Sequence, residues 1–166
     1  MPVVSNTSPI LNLAIIQRLF LLHQQFGTIQ IATAVFEELR VNEDLPGSDV
    51  IRDAIAREWI VVTQVEDIPL VQLLRQNLDP EEAETIALAL AVQADWTLLD
   101  ELEGRRIARS LGLKITGILG ILLRSWRMCE LSSVRPVMNE LRDLAGFYIA
   151  PALLTEILIE TGEIAP

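Results

Sequence analysis

Short β-branched runs recur along the chain between longer segments whose apolar residues fall at helical spacing, and this alternation constrains the fold more than any other feature. Pro2–Ser5, Thr28–Ile31, Ile60–Thr63, Trp96–Leu99 and Lys114–Thr116 read as strands. The helical patterns are Pro9–Gln25, divisible into two pieces, Ala34–Arg40, Asp49–Glu58, Pro69–Asn77, Pro80–Ala94, Gly104–Leu111, Gly117–Met128, Val134–Leu144 and Ala152–Glu160. Parallel strands need crossover connections of about a dozen residues or more, commonly helical, so the pattern predicts an α/β fold with a central, mostly parallel sheet between helical layers. Two boundaries are sharper than the rest. Asp79-Pro80-Glu81-Glu82 places an N-cap acid, a proline in the first turn and a glutamate three residues on, a capping-box pattern. Gly112 follows Ser110-Leu111 where a helix end favours a left-handed residue.

The chain's 166 residues show no linker, repeat or low-complexity run, and predict one domain over 1–166. With 51% hydrophobic residues it can bury a sizeable core, which excludes disorder as its main state. A net charge of −10 speaks against a general polyanion binder. Cys129 and His23 are the only residues of their kinds, which excludes an intramolecular disulfide and the usual Cys/His zinc sites. Any metal would have to be held by oxygen. Cys129 is expected to be a buried small hydrophobe, Trp96 and Trp126 core residues, and His23 a helix-surface or core-edge residue. The most apolar early stretch, Pro9–Leu22, is interrupted by Asn12, Gln17 and Arg18, too short and polar to span a bilayer, and no cleavable leader is visible. A cytoplasmic protein with no membrane partner is the expectation.

In an open parallel sheet, ligands bind beyond the carboxyl ends of the strands. The first strand ends at Ser5-Asn6-Thr7-Ser8, the second runs into the helix bearing Glu37 and Glu38, and the fourth ends at Asp100-Glu101. The Pro80 segment adds Glu82 and Glu84. Four segments thus bring oxygen-rich side chains to one sheet edge. Crowded carboxylates raise each other's pKa unless a cation sits among them, which points to Mg²⁺ or Mn²⁺. Each residue also has a purely structural reading: Glu82 as the capping-box acid, Glu37 and Glu38 as a solvated helix face, Asp100 as the N-cap of the following helix, and Asn6-Thr7-Ser8-Pro9 as a turn and cap. Phosphate-loop, dinucleotide and nucleophile-elbow motifs are absent, and Gly117 and Gly120 read as close helix packing.

Val3-Val4-Ser5-Asn6-Thr7-Ser8-Pro9-Ile10, Ala34-Val35-Phe36-Glu37-Glu38-Leu39, the Glu81–Ala89 helix, the Leu98–Ala108 segment and Ile115–Leu122 resemble, in order, the PIN-domain proteins, and most closely their VapC-like toxin branch. The likeness covers about residues 3–145, leaving 146–166 as a C-terminal helical extension. It implies a three-layer α/β/α domain and a Mg²⁺- or Mn²⁺-dependent endoribonuclease in the cytoplasm, with an RNA substrate, an antitoxin protein as partner and a homodimeric state. Carried over by position, Glu38 matches the second acid of the family's motif, Glu82 or Glu84 the third and Asp100 the fourth. Glu101 stands where the branch often has a further acid, and Thr7 or Ser8 matches the hydroxyl after the first acid.

Asn6 departs from the pattern, placing a neutral amide where the family has an aspartate and removing one charge from the metal site. Activity is therefore weakened, supplied by another acid, or replaced by binding alone. Residues 29–103 carry 17 acids against 4 bases, whereas 102–128 carry Arg105, Arg106, Arg109, Lys114, Arg124 and Arg127 against Glu103. The second stretch, and Arg105 and Arg106 in particular, can meet a nucleic-acid backbone despite the acidic total, unless its arginines pair with acids elsewhere.

Overall fold

The computed structural model describes residues 1–166. Its five strands are β1 (Val3–Ser5), β2 (Ile29–Ala32), β3 (Ile60–Thr63), β4 (Trp96–Leu98) and β5 (Ile115–Thr116). Every pairing is parallel, in the order β3-β2-β1-β4-β5. The ten helices are α1 (Thr7–Ile15), α2 (Phe20–Phe26), α3 (Thr33–Leu39), α4 (Ser48–Ala56), α5 (Ile68–Leu74), α6 (Pro80–Ala91), α7 (Leu102–Ser110), α8 (Ile118–Arg127), α9 (Arg135–Ala145) and α10 (Pro151–Glu160). This is the expected three-layer α/β/α arrangement, with the sheet parallel throughout.

The break between α1 and α2 follows from Gln17, whose φ of 61° no helix interior accepts. At the other end of the chain's α/β region, Gly112 takes φ 84° immediately before β5, as its position predicts. Central β1 has Val3 and Val4 fully buried, because helices cover both sheet faces. One core cluster of 40 buried residues runs from Val3 to Ile157. Each large aliphatic side chain so buried contributes about 1.5–3 kcal/mol before entropy is counted.

Strand order reverses between β1 and β4, since the chain moves outward from β1 through β2 and β3 and then returns to the other side of β1. Such a reversal leaves a crevice beyond the strand ends. Asn6, whose N–H donates to Leu98 O at 2.9 Å, stands at its floor.

Some expectations are corrected. Cys129 is exposed, in a left-handed turn at φ 61° after α8. Trp96 and Trp126 are only partly buried, packing against the edge of the core. Helix α8 buries Ile118, Ile121 and Leu122 fully against the core. Exposed apolar side chains lie elsewhere, on Leu73, Leu102, Leu144 and Tyr148 among others. No helix is long and apolar enough to cross a membrane.

Candidate active site

A cleft of about 300 Å³ opens at the strand reversal, lined by Asn6, Thr7, Ser8, Asn12, Glu38, Glu81 and neighbours and almost wholly polar. Helix α1 starts here. Asn6 is its N-cap residue in extended backbone, yet its side chain makes no capping bond. The amide instead meets buried Thr85 of α6, with Asn6 Oδ1 and Thr85 Oγ1 3.3 Å apart, while Thr85 also donates to Glu81 O at 2.7 Å. Thr7 donates its hydroxyl to Glu38 Oε2 at 2.6 Å, fixing the α3 acid against the start of α1.

Glu81 lines the same cleft as Glu38, and burial together with the charges of Glu38 and Asp79 pushes its carboxyl above the usual range. Sequence reasoning did not select Glu81. The signal was present in the Asp79-Pro80-Glu81-Glu82 pattern, but two adjacent acids differ by about 100° around a helix, and the cap decides which one is free. Glu82 is the acid taken: it is 6% exposed and its carboxylate accepts from the Asp79 N–H at 3.1 Å. Burial and the neighbouring charges of Asp79, Glu101 and Glu81 raise its pKa in spite of that bond. Glu84 points the other way, accepting from the Ala34 N–H at 3.2 Å and so tying α6 to the first turn of α3.

Asp100 is not the N-cap of α7, a position held by Glu101. Its Oδ1 accepts from the Ile118 N–H of α8 at 3.0 Å and its Oδ2 from Ser8 at 3.3 Å. Ser8 in turn accepts from Asn12 at 3.0 Å. Burial raises the Asp100 pKa although these bonds and the Arg105 charge oppose it. Gly117 makes this placement possible, since a Cβ there would lie 2.4 Å from Asp100 Oδ1 and 2.8 Å from Arg105 Nη1. Gly117 and the Ile118 N–H are site residues that the sequence offered only as a packing glycine and an apolar neighbour.

Arg105 donates to Leu99 O at 3.0 Å, and its pKa is lowered by burial and by Arg109. Of the other basic residues in that stretch, Arg106 pairs with Glu103 and Arg127 with Glu160, while Lys114 and Arg124 lie over the Trp96 ring. Glu101 reaches the rim of the Asn6 cleft; Glu82, Glu84 and Asp100 do not line it.

The expectation that Glu38, Asp100 and one of Glu82 and Glu84 converge on one ion is not met, because no three His, Cys, Asp or Glu side chains stand close enough to hold a metal. What does converge is a pair, Glu38 and Glu81, flanked by the neutral oxygens of Asn6 and Thr7. This oxygen-only donor set, with one acid already raised, fits a hard divalent ion of the kind that keeps several waters and takes only one or two carboxylates.

Comparison with known proteins agrees with the topology. A family model described as a PIN domain matches residues 2–163, beyond the span of the resemblance read from the motifs. No curated protein matches the chain. A match over nearly its full length, together with a parallel sheet whose reversal gathers these acids, places the chain in the PIN-domain family, whose fold is of the nuclease type.

Proposed function

We propose that the protein is a Mg²⁺- or Mn²⁺-dependent ribonuclease whose ion is held by Glu38 and Glu81, with the Asn6 carbonyl as a neutral third oxygen. The observation that carries this is the Glu38–Glu81 pair: two carboxyls lining one polar cleft that has no cationic side chain among its lining residues. Bound there, the ion would lower the pKa of a water and neutralise charge building on the phosphate. Thr7 holds the Glu38 carboxylate in one orientation. Thr85 has a single proton, which goes to Glu81 O at 2.7 Å. Asn6 Oδ1 lies 3.3 Å from that hydroxyl, so a flip of the amide would give the Thr85 oxygen an N–H and the cleft the Asn6 carbonyl. Asp100 holds Ser8 at the edge of the cleft, and Arg105 offers positive charge to the RNA backbone, Arg106 being paired with Glu103.

A second reading, a binding module without catalysis, is favoured by the loss of a charge at Asn6. Incubating RNA with the wild type and with Glu38→Gln in Mn²⁺ separates the two: cleavage by the first and not the second supports the enzyme, and cleavage by neither supports the module. The toxin role, with its antitoxin partner, rests on the same activity. Expression of the wild type should arrest growth, and expression of Glu38→Gln should not.

A further inference from the structure

Thr85 is fully buried on α6, where its neighbours Ala83, Ile86, Ala87 and Leu88 are buried and apolar. A valine would fill the same space, so what Thr85 adds is the hydroxyl. That hydroxyl touches two of the residues assigned to the ion. Its proton goes to the carbonyl oxygen of Glu81 at 2.7 Å, and its oxygen lies 3.3 Å from Asn6 Oδ1. Asn6 lines the cleft while only 2% exposed, so one end of its amide meets Thr85 and the other meets the cleft.

The two ends of an amide are not alike, since one accepts hydrogen bonds and the other donates them. With its proton spent on Glu81, the Thr85 oxygen offers lone pairs to whichever end faces it. A second oxygen there gains nothing, whereas the N–H end gains a hydrogen bond and leaves the carbonyl oxygen for the cleft. A carboxylate has no such ends. Either of its oxygens can face the cleft, and no neighbour is needed to choose between them.

We propose that Thr85 is a positioning residue matched to Asn6: it fixes the orientation in which the amide presents its carbonyl oxygen to an ion, and its hydroxyl matters only because residue 6 is an amide and not an acid. The inference rests on the metal-site part of the ribonuclease reading and adds to it a side chain that touches neither ion nor substrate. With Thr85 replaced by valine, the buried N–H end loses its acceptor, and that cost falls on the orientation the ion requires. A role in packing alone makes no distinction between asparagine and aspartate at position 6.

The test is a double-mutant cycle read by calorimetric titration of Mn²⁺, with urea unfolding to show that each variant is folded. Thr85→Val should weaken Mn²⁺ binding by about 5- to 100-fold in the wild type, whereas Thr85→Ser, which keeps the hydroxyl, stays within about twofold. In the Asn6→Asp background, Thr85→Val should change the affinity by less than about twofold. Nuclear magnetic resonance of the isotope-labelled, metal-free wild type needs no variant: the Asn6 side-chain amide protons should show Overhauser contacts to the Thr85 β-proton. Equal loss of affinity in the two backgrounds, Thr85→Ser falling as far as Thr85→Val, or amide protons without that contact would each overturn this inference while leaving the ion where it is. A wild type that takes up no Mn²⁺ overturns the metal site and this inference together.

Discussion

The two acidic ends of the site differ in what already holds them. At one end Glu38 accepts from the Thr7 hydroxyl and Glu81 from its own backbone N–H, and burial followed by the charges of Glu38 and Asp79 keeps Glu81 raised with no cation beside it. At the other, burial and the Glu101 charge raise Asp100 in the same way, but the Ile118 N–H, the Ser8 hydroxyl and the nearby Arg105 charge oppose the shift. The first end gains from an incoming cation, whereas the second is an acid that the fold already uses to join α1, β4 and α8. Acidity alone does not mark a metal ligand; what matters is whether the protein has supplied the partners.

The largest expected effect breaks the first end. Glu38→Gln should reduce Mn²⁺-dependent RNA cleavage by about 100-fold or more, measured as kcat/KM, since it removes a charged ligand. Asn6→Asp acts oppositely, adding a carboxylate to the same cleft. Two charges 4 Å apart interact by about 4 kcal/mol at an effective dielectric of 20, less the cost of crowding three acids in the metal-free protein. Mn²⁺ should therefore bind at least about tenfold tighter by calorimetry, and cleavage should quicken; an unchanged affinity would place the ion elsewhere.

At the second end the effect is on stability. Gly117→Ala sets a methyl against a carboxylate that Ile118 holds in place, and should cost about 1–3 kcal/mol in urea unfolding. A smaller effect separates the ends by pH. Carboxyls raised in the folded state make the native protein bind more protons than the unfolded chain, so Glu81, Glu82 and Asp100 cost stability as pH rises above their ordinary values of 3.8–4.5. Glu163 has the opposite sign. Against the cost of burial, it accepts hydrogen bonds from Ser133, Thr161 and the N–H groups of Arg135 and Val134 at the start of α9, which hold it at about 2. Its contribution is present above 4.5 and is lost as pH falls toward 2. Metal-free protein should thus be most stable near about pH 5 in urea titrations, with Mn²⁺ recovering stability at pH 7.

The strands and the helices between them were legible because the pattern of burial is written in the order of apolar residues, and Asp79 and Gly112 because caps are local. The site was legible only to the level of which segments meet. Asn6, Glu38 and the Pro80 helix do come to one cleft, yet the choice of Glu81 over Glu82 turns on a cap already taken, and Glu84 on an N–H of α3 that lies 50 residues earlier. Asp100 was read against the helix that follows it, but its partner Ile118 lies 18 residues on. Thr85 stands out only as a hydroxyl inside an apolar stripe. Partners fixed by tertiary approach leave no mark at fixed spacing.

The central claim is that the Glu38–Glu81 end, and not the Asp100 end, holds the ion. Calorimetric titration of Mn²⁺ at pH 7 into the wild type, Glu38→Gln and Asp100→Asn tests it directly. One ion should bind the wild type, none should bind Glu38→Gln at the same concentrations, and Asp100→Asn should bind about fivefold more weakly, having lost a charge that acts only through space. Full binding by Glu38→Gln, or its abolition in Asp100→Asn, would contradict the account.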